Sequence, residues 1–296
     1  MLRLKIERNQ AGRDFVCGDL HGTYERLEDV MKFVNFDTSK DRMFSVGDLV
    51  DRGPSNEKCL RLLNEPWFHA VRGNHEQLMS DFYTHGPYGM FWVQNGGRWG
   101  LAYTKEADDT EAAQAIRDLA KKASELPVML TVERQDGKFF HVIHAELAAD
   151  TPLFDSDLDN EELLHEITHH QSIDGDFVLW GRYIFAPMCR ANLIDDPVRL
   201  EKIRRTMEFH RTGAMFNDNL SHIYSGHSIV QVPTRYRGQT NIDTCAFGSV
   251  KRDGGLAYST EPTPEHWCGL TITEPLTDRF WTATYSGVKE VSPLII

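Results

Sequence analysis

Three short apolar runs in the first third of the chain each end in a glycine that is followed by Asp or Asn. Glycine allows a strand to turn tightly where other residues would be strained. In an open α/β sheet, ligands gather outside the carboxyl ends of the strands, so loops at such ends can converge on one point. The pattern therefore predicts an α/β fold with three polar loops at one edge: Gly18-Asp19-Leu20-His21-Gly22, Gly47-Asp48-Leu49-Val50-Asp51-Arg52-Gly53 and Gly73-Asn74-His75-Glu76.

The stretches between these loops have the spacing of amphipathic helices. Apolar residues from Tyr24 to Val34 recur at helical spacing, and Leu60, Leu62 and Leu63 mark a second helix. Alternation of short strands with helices is typical of βαβ units. The predicted strands are Phe15-Val16-Cys17, Met43-Phe44-Ser45-Val46 and Ala70-Val71.

The side chains in the three loops are of the types that bind divalent metals. Carboxylate, imidazole and amide oxygen suit hard to borderline ions. Any one of the loops alone would be an ordinary turn, because Asp and Asn after Gly are common turn residues. Three such loops at consecutive strand ends favour a shared metal site instead.

The rest of the chain adds further strands and helices without a repeat. Glu111 to Ser124 is predicted to be a helix, and Val128 to Glu133 and Phe139 to Ile143 are predicted to pair across a turn. The polar stretch 150–222 is predicted to contain a helix from Pro197 to His210, and we interpret the stretch as an insertion or cap. Short strands return at Ile223-Tyr224, Gly269 to Thr273 and Phe280 to Tyr285. We therefore predict one domain over residues 1–296 with an insertion at about 150–222.

Composition excludes several other classes of protein. The 32 Lys and Arg against 44 Asp and Glu give a net charge of −12, which disfavours nucleic-acid binding. No apolar run approaches the ~20 residues of a membrane span, and Met1 to Arg13 lacks the apolar core of a secretory signal. The five cysteines are scattered and never in C-x-x-C spacing, which points to reduced thiols. We predict a cytoplasmic protein with no membrane partner.

The three loops resemble the GD-x-HG, GD-x-x-DRG and GNHE signatures of the phosphoprotein phosphatase family of binuclear metallophosphoesterases, and most resemble its bacteriophage lambda-type branch. The resemblance extends to Pro66-Trp67-Phe68, Asn95-Gly96-Gly97, Glu125-Leu126-Pro127, Leu179-Trp180 and Ser225 to Phe247. It implies a calcineurin-like, four-layer α/β/β/α fold, in which a central β-sandwich is flanked by helices.

The resemblance also implies a set of metal ligands. Asp19, His21 and Asp48 would hold a first ion. Asp48, Asn74, His144 and His227 would hold a second, with Asp48 bridging; His144 and His227 lie in Val142-Ile143-His144-Ala145 and Tyr224-Ser225-Gly226-His227-Ser228. Two ions can share a water and neutralise phosphate charge. Manganese is the ion this branch implies, and iron or zinc also fits such ligands.

The remaining site residues are assigned on the same resemblance. Arg52 and Arg182 would bind phosphate together with Asn74, since a guanidinium can bind two phosphate oxygens at once. His75 would be the general acid. Asp51 either orients His75 or caps a helix, and we favour the first role. Arg72 either supports the phosphate pocket or holds its loop through an ion pair.

The chain departs from the family pattern in three places. Cys245 replaces the usual glycine in Ile242-Asp243-Thr244-Cys245, and could narrow the backbone space or offer a thiol. Glu146-Leu147 follows His144-Ala145 and alters the neighbouring substrate contacts. The 150–222 stretch and the tail past Lys251 are absent from compact phage-type members, and we expect them to influence substrate choice.

Three functions are compatible with these motifs. The first is hydrolysis of phosphoserine and phosphothreonine in proteins, with phosphotyrosine as a further substrate, by in-line attack of a metal-bridging hydroxide. The second is symmetrical cleavage of a dinucleoside polyphosphate such as diadenosine tetraphosphate, which should need a more basic and roomier pocket. The third is a non-catalytic metal-binding module, which the presence of every ligand and of His75 disfavours.

Overall fold

The computed structural model describes residues 1–85, 90–147, 153–170, 175–189, 191, 193–209, 219–249 and 268–296. In these residues, two mixed β-sheets lie face to face with helices on their outer surfaces. This is the architecture expected from the sequence.

One sheet has six described strands in the order β12-β11-β10-β2-β3-β4. The strands β2, β3 and β4 are parallel neighbours, so their carboxyl ends lie at the same edge. The strands β10, β11 and β12 extend the sheet in antiparallel fashion. The bounds are β2 Asp14–Cys17, β3 Arg42–Ser45, β4 Phe68–Ala70, β10 Gly269–Glu274, β11 Arg279–Thr284 and β12 Gly287–Val291.

The second sheet has seven described strands in the order β1-β5-β6-β7-β9-β8-β13. The strands β6 and β7 are parallel, which places the loops after Ile143 and Ser225 at one edge. The bounds are β1 Arg3–Ile6, β5 Met129–Glu133, β6 Phe139–Ile143, β7 His222–Ser225, β8 Thr234–Tyr236, β9 Gln239–Asn241 and β13 Leu294–Ile295.

The two sheets pack through an apolar layer. Phe44 from the first sheet meets Phe140 from the second, with ring centroids 5.7 Å apart in a T-shaped arrangement. Val16, Leu130 and Val142 are fully buried in the same layer. Burying apolar surface on both sheets fixes their relative position and thus the distance between their loops.

Helices α1 to α5 pack against the six-stranded sheet. Their apolar side chains, among them Leu27, Leu60, Met79 and Ile116, are buried in one cluster with residues of that sheet. The bounds are α1 Tyr24–Phe33, α2 Asn56–Arg61, α3 Asn74–His85, α4 Met90–Gln94 and α5 Glu111–Ser124, with short 3₁₀ helices at Leu62–Asn64 and Gly97–Tyr103.

The described part of the 150–222 stretch covers the outer face of the seven-stranded sheet. Leu158, Leu164, Ile167 and Val178 pack with residues of β5, β6 and β7 in one buried cluster. The stretch contains α6 Glu161–Thr168, α7 Phe177–Trp180 and α8 Pro197–Phe209, with 3₁₀ helices at Asp157–Asp159 and Ala186–Met188; a further 3₁₀ helix spans Ala246–Ser249. We propose that the chain is a single domain with this insertion.

Most elements expected from the sequence are present within a residue or two of their predicted ends. The helix Glu111–Ser124 and the antiparallel pair β5 and β6 are confirmed, whereas His210, the predicted end of α8, lies outside the described residues. The short strands β1, β8, β9, β12 and β13 were not predicted. In β1, β12 and β13 no residue is buried, and β8 and β9 are only three residues long. Among the described helices, none combines the length and apolar character that crossing a bilayer requires.

Candidate metal centre and phosphate site

Five strand ends deliver the predicted site residues to one edge of the sandwich. The six-stranded sheet supplies three loops, and the seven-stranded sheet supplies the loops after β6 and β7. All the predicted metal ligands are buried, none being more than 5% exposed. They are Asp19 and His21 after β2, Asp48 after β3, Asn74 after β4, His144 after β6 and His227 after β7.

Asp48 lies at the centre and its two carboxylate oxygens face different groups. Oδ2 is 3.5 Å from His21 Nε2, and Oδ1 is 3.5 Å from His144 Nε2. Oδ1 also accepts a hydrogen bond of 3.0 Å from the backbone N–H of His75. A side chain at Gly73 would overlap Asp48 Oδ1, so the glycine leaves room for the carboxylate. This two-sided geometry is what a bridging ligand requires.

The histidines present unprotonated ring nitrogens to the centre. His21 Nδ1 lies 2.8 Å from the Val50 carbonyl and His144 Nδ1 lies 2.8 Å from the Val46 carbonyl. Because a carbonyl can only accept, Nδ1 carries the proton in each neutral ring and Nε2 keeps its lone pair. Burial lowers the pKa of both imidazoles, which keeps them neutral. Neutral imidazole with Nδ1–H bound to a carbonyl is the form that binds metals.

Asn74 lies between the two histidines of the seven-stranded sheet. Its Oδ1 is 2.8 Å from His144 Nε2 and 3.0 Å from His227 Nδ1. The bare His144 nitrogen and the Asn74 oxygen are both acceptors, so their close approach calls for a cation between them. Nε2 of His227 is buried with no hydrogen-bond partner. The convergence of His144 Nε2 and His227 Nδ1 on the Asn74 oxygen, beside Asp48, fits a bound divalent ion.

Asp19 and Asp243 add to the negative charge beside Asp48. Both Asp19 oxygens accept from the His227 backbone N–H, at 3.1 and 3.2 Å. Burial and the charges of Asp243 and Asp48 raise the pKa of Asp19 well above its usual value. Burial likewise raises the pKa of Asp243 to about 6, and its Oδ2 atom has no partner. Buried carboxylates crowded in this way are stabilised by cations.

Two compact groups of donors could each hold an ion: His21, Asp48 and His75, and Asp48, His144 and His227. Asp48 belongs to both groups, in agreement with the predicted pair of sites. Asp19 lies outside the first group, since its carboxylate turns toward the His227 backbone. His75 Nε2 is 3.9 Å from Asp48 Oδ2, so it lies beside the ligands; the resemblance assigns it as the proton donor and Asp19 as the ligand.

The backbone at the site is strained. His21, Asp48, Asp51, Arg52 and His227 all have positive φ angles, between 44° and 77°. Such angles cost non-glycine residues about 1–3 kcal/mol each and persist only when surrounding contacts enforce them. Their concentration in three loops indicates that the tertiary structure holds these side chains in place.

Glu76 is one of the contacts that enforce this shape. Its buried carboxylate accepts three backbone hydrogen bonds, from Asp48 and Leu49 at 2.8 Å and from Gly73 at 2.9 Å. Burial and the Asp48 charge raise its pKa to about 8. Glu76 therefore ties the second loop to the third and is not itself directed into the centre.

His75 and Arg52 border the donors on the side of the first sheet. His75 Nδ1 lies 2.5 Å from Asp51 Oδ2, and its Nε2 lies 2.9 Å from Arg52 Nη2. The other guanidinium nitrogen of Arg52 contacts His21 Nε2. The positive charge of Arg52 therefore lies next to the imidazoles of His21 and His75. The helix-cap alternative for Asp51 is wrong, because Ser55 precedes α2 and the Asp51 carboxylate turns to His75.

Arg182 reaches the opposite side of the site from the 150–222 stretch. Its guanidinium donates to the His227 carbonyl at 2.8 Å, while the residue itself is exposed. Beneath it, the buried Glu146 carboxylate accepts from the backbone N–H groups of Tyr183, Ile184 and Phe185, at 2.7 to 2.9 Å. The departure at Glu146 therefore fixes the loop that carries Arg182.

The contacts of two other residues are also defined. Arg72 forms no ion pair among the described residues, and its guanidinium donates to the Ser124 carbonyl at the end of α5. Cys245 is buried at φ +64° against Cys268, so it occupies a conformation that glycine adopts more readily.

The comparison with known proteins agrees with this geometry. The family model described as calcineurin-like phosphoesterase matches residues 15–230, more than half of the chain. The chain belongs to this family. As a calcineurin-like phosphoesterase, it has its five ligand-bearing loops within the matched region.

Two curated relatives carry the same name. Serine/threonine-protein phosphatase 2 of Salmonella typhimurium is 31% identical over 244 residues, covering 82% of this chain and 90% of the relative. Its Escherichia coli counterpart is 32% identical over 190 residues, covering 61% and 84%. A symmetrical bis(5′-nucleosyl)-tetraphosphatase of Actinobacillus pleuropneumoniae is 39% identical over only 64 residues, covering 21% and 24%. The likeness to the phosphatases thus extends well beyond the loops.

The structure also reveals residues that motif reading missed. Trp92 and Trp99 both donate indole hydrogen bonds to Asp51, and Phe247 packs its ring against Arg52 and His21. Aromatic residues are common in cores, so nothing in their spacing singled them out. Only the neighbouring Asn95-Gly96-Gly97 motif marked this part of the chain.

Proposed function

We propose that this metallophosphoesterase hydrolyses phosphoserine and phosphothreonine in proteins. The observation that carries the proposal is the two-sided Asp48 carboxylate with the His75–Asp51 pair and Arg52 at its side. The likeness over most of both chains to relatives named serine/threonine-protein phosphatase supports a protein substrate.

The residues that would hold two divalent ions are Asp19, His21, Asp48, Asn74, His144 and His227, with Asp48 shared. When bound, the ions supply positive charge that offsets the charge of the phosphate and favours a deprotonated water. We propose Mn²⁺ as the working ion, with Fe or Zn compatible with the same nitrogen and oxygen ligands.

The protein's own groups bind the phosphate and supply a proton. Arg52 and Arg182 approach from opposite sides of the donor cluster, where they can pair with phosphoryl oxygens. As the general acid, His75 would give a proton from Nε2 to the leaving oxygen as the P–O bond breaks. Its Nδ1–H group stays hydrogen-bonded to Asp51, which prevents the His75 ring from turning.

A dinucleoside polyphosphate is the second candidate substrate. The short match to a symmetrical tetraphosphatase supports a shared dimetal chemistry. The net charge of −12 opposes a substrate that carries several phosphates. We also propose that the protein is cytoplasmic, which is supported by its five cysteines forming no disulfide with one another.

The deciding experiment measures kcat/KM with added Mn²⁺ for a phosphoserine peptide, a phosphotyrosine peptide and diadenosine tetraphosphate, with a chelator-treated sample as the blank. We expect the phosphoserine peptide to be preferred. Preference for the dinucleotide would transfer the function to nucleotide hydrolysis. A lack of metal-dependent turnover on all three would contradict both.

His75→Asn tests the acid. The variant should retain its metals and lose about 10²–10⁴-fold in kcat on the phosphoserine peptide, whose alkoxide leaves poorly without a proton. It should lose much less on p-nitrophenyl phosphate, because that phenolate leaves unaided. Equal losses on the two substrates would remove His75 from this role.

A further inference from the structure

The Asp51 carboxylate is enclosed by two tryptophans. Trp92 Nε1 donates to Oδ2 at 2.7 Å, and Trp99 Nε1 donates to Oδ1 at 2.7 Å. His75 Nδ1 lies against the same Oδ2 at 2.5 Å. Asp51 itself is fully buried. Each carboxylate oxygen therefore has an indole N–H directed at it, and one oxygen also holds the His75 ring.

A buried carboxylate needs such donors. Taking a charged group out of water is costly unless hydrogen bonds replace its hydration. One indole N–H donates to each carboxylate oxygen, and together the two bonds fix the plane of the carboxylate. A single hydrogen bond to His75 would leave that plane free to rotate. The orientation of the His75 ring, and with it the direction of Nε2, thus depends on both indoles.

Glycines occupy the positions that the indoles approach most closely. A Cβ atom at Gly97 or Gly100 would overlap the Trp92 ring, so both positions must remain small. Gly96 has φ +113°, and a side chain there would press on the Arg52 backbone. The Asn95-Gly96-Gly97 motif is therefore explained by the approach of Trp92 and of the following 3₁₀ helix to Asp51.

Packing alone does not account for the arrangement. Trp92 is fully buried and lies 6.0 Å from the Trp99 ring in a T-shaped contact, which a pair of phenylalanines could also make. Phenylalanine, however, offers no donor to Asp51. Both indoles direct their only polar atom at the same side chain.

We propose that Trp92 and Trp99 are positioning residues for proton donation, holding Asp51 so that His75 Nε2 points at the leaving oxygen. This inference rests on the proposed phosphomonoester hydrolysis and adds the parts that orient its acid. It applies to any phosphate monoester that the enzyme accepts, whether or not proteins are the natural substrates.

The first test reads the hydrogen bonds without turnover. In a ¹H–¹⁵N spectrum of the full chain, the indole resonances of Trp92 and Trp99 are assigned by their Phe variants. Asp51→Asn should shift both toward the values of free indoles. Trp67, which precedes β4 and whose indole donates to Glu65, should be unchanged. Unmoved Trp92 and Trp99 resonances in a folded variant would overturn the inference.

The second test uses Trp99→Phe in the Mn²⁺-loaded enzyme, since Trp99 is only partly buried. Losing one hydrogen bond to a charged group should lower kcat on phenyl phosphate about tenfold. The kcat on p-nitrophenyl phosphate should change by less than about twofold, because its leaving group needs little protonation. The KM values should stay the same.

Trp67→Phe is the matched control and should change neither kcat nor KM for either substrate. Equal losses on both aryl phosphates, or a change confined to KM, would show that Trp99 has only a structural role. A wild-type enzyme that cleaves aryl phosphates and not the phosphoserine peptide would refute the protein substrate and leave this test intact. The two failures are therefore separable.

Discussion

On one side of the site, His75 stands against a fully buried carboxylate that accepts two indole N–H bonds. On the other side, the exposed Arg182 reaches the site from a loop of the 150–222 stretch. The first side is built by the sheet that carries the three signature loops. The second is built by the 150–222 stretch, which the sequence pattern predicts to be an insertion.

The difference lies in what holds each side. His75 is oriented by side chains that are themselves locked in the core, whereas Arg182 is oriented through a backbone loop tied to Glu146. A loop held by one carboxylate can change with the inserted segment without disturbing the proton donor. We infer that substrate choice is set on the Arg182 side and the chemistry on the His75 side.

The largest effect is expected where the two sides meet, at Asp48. Asp48→Asn removes the charge that both donor groups share, so both ions should bind more weakly and kcat/KM should fall by at least about 10³-fold. Metal content by mass spectrometry and activity at saturating Mn²⁺ measure the two losses. A variant that retains two ions and full activity would contradict the bridging assignment.

An intermediate effect is expected from Glu146→Gln. The amide can no longer accept all three backbone N–H bonds, so the Arg182 loop should loosen and KM for the phosphopeptide should rise about tenfold. We expect kcat to change by less than about threefold, since the His75 side is untouched. Steady-state kinetics of the variant measure both parameters.

A double-mutant cycle shows whether Glu146 acts through Arg182. In an Arg182→Ala background, Glu146→Gln should add little to KM, because the group it positions is already missing. Additive losses would show that Glu146 acts elsewhere. Glu133→Gln, in a surface carboxylate paired with Arg8, is the matched control.

The smallest effect on activity is expected at His222 in β7, where the change should be in stability instead. It donates to or accepts from Thr240 Oγ1 at 2.8 Å, and burial lowers its pKa to about 4. The unfolded chain binds this proton more tightly, with a pKa of about 6.5. The stability that the neutral ring allows is therefore complete above about pH 6.5 and is lost as the pH falls toward 4, by up to about 3 kcal/mol.

Urea unfolding of the metal-free protein at pH 7.5 and pH 4.5 measures this dependence. His222→Asn should reduce the difference in unfolding free energy between the two pH values. His165→Asn, at an exposed position, should leave it unchanged. An unchanged difference in His222→Asn would assign the acid sensitivity to other groups, including those at the site.

Local pattern was sufficient for much of the fold. The runs ending at Gly18, Gly47 and Gly73 are strands because their apolar residues are buried between layers, and the long helix α5 was delimited correctly by its composition. The edge strands β1 and β13 escaped prediction. Their pairing partners lie far away in sequence, so their own residues carry little signal.

The sequence by itself determined the family, the strand–helix order and the set of side chains available for the site, because these depend on residue types at short spacing. Only the tertiary structure decided that Asp48 faces two groups of donors, that Glu146 holds the Arg182 loop and that Trp92 and Trp99 enclose Asp51. Those contacts join residues distant along the chain. Their directions are set by the packing of two sheets and by strained backbone angles, which no local pattern specifies.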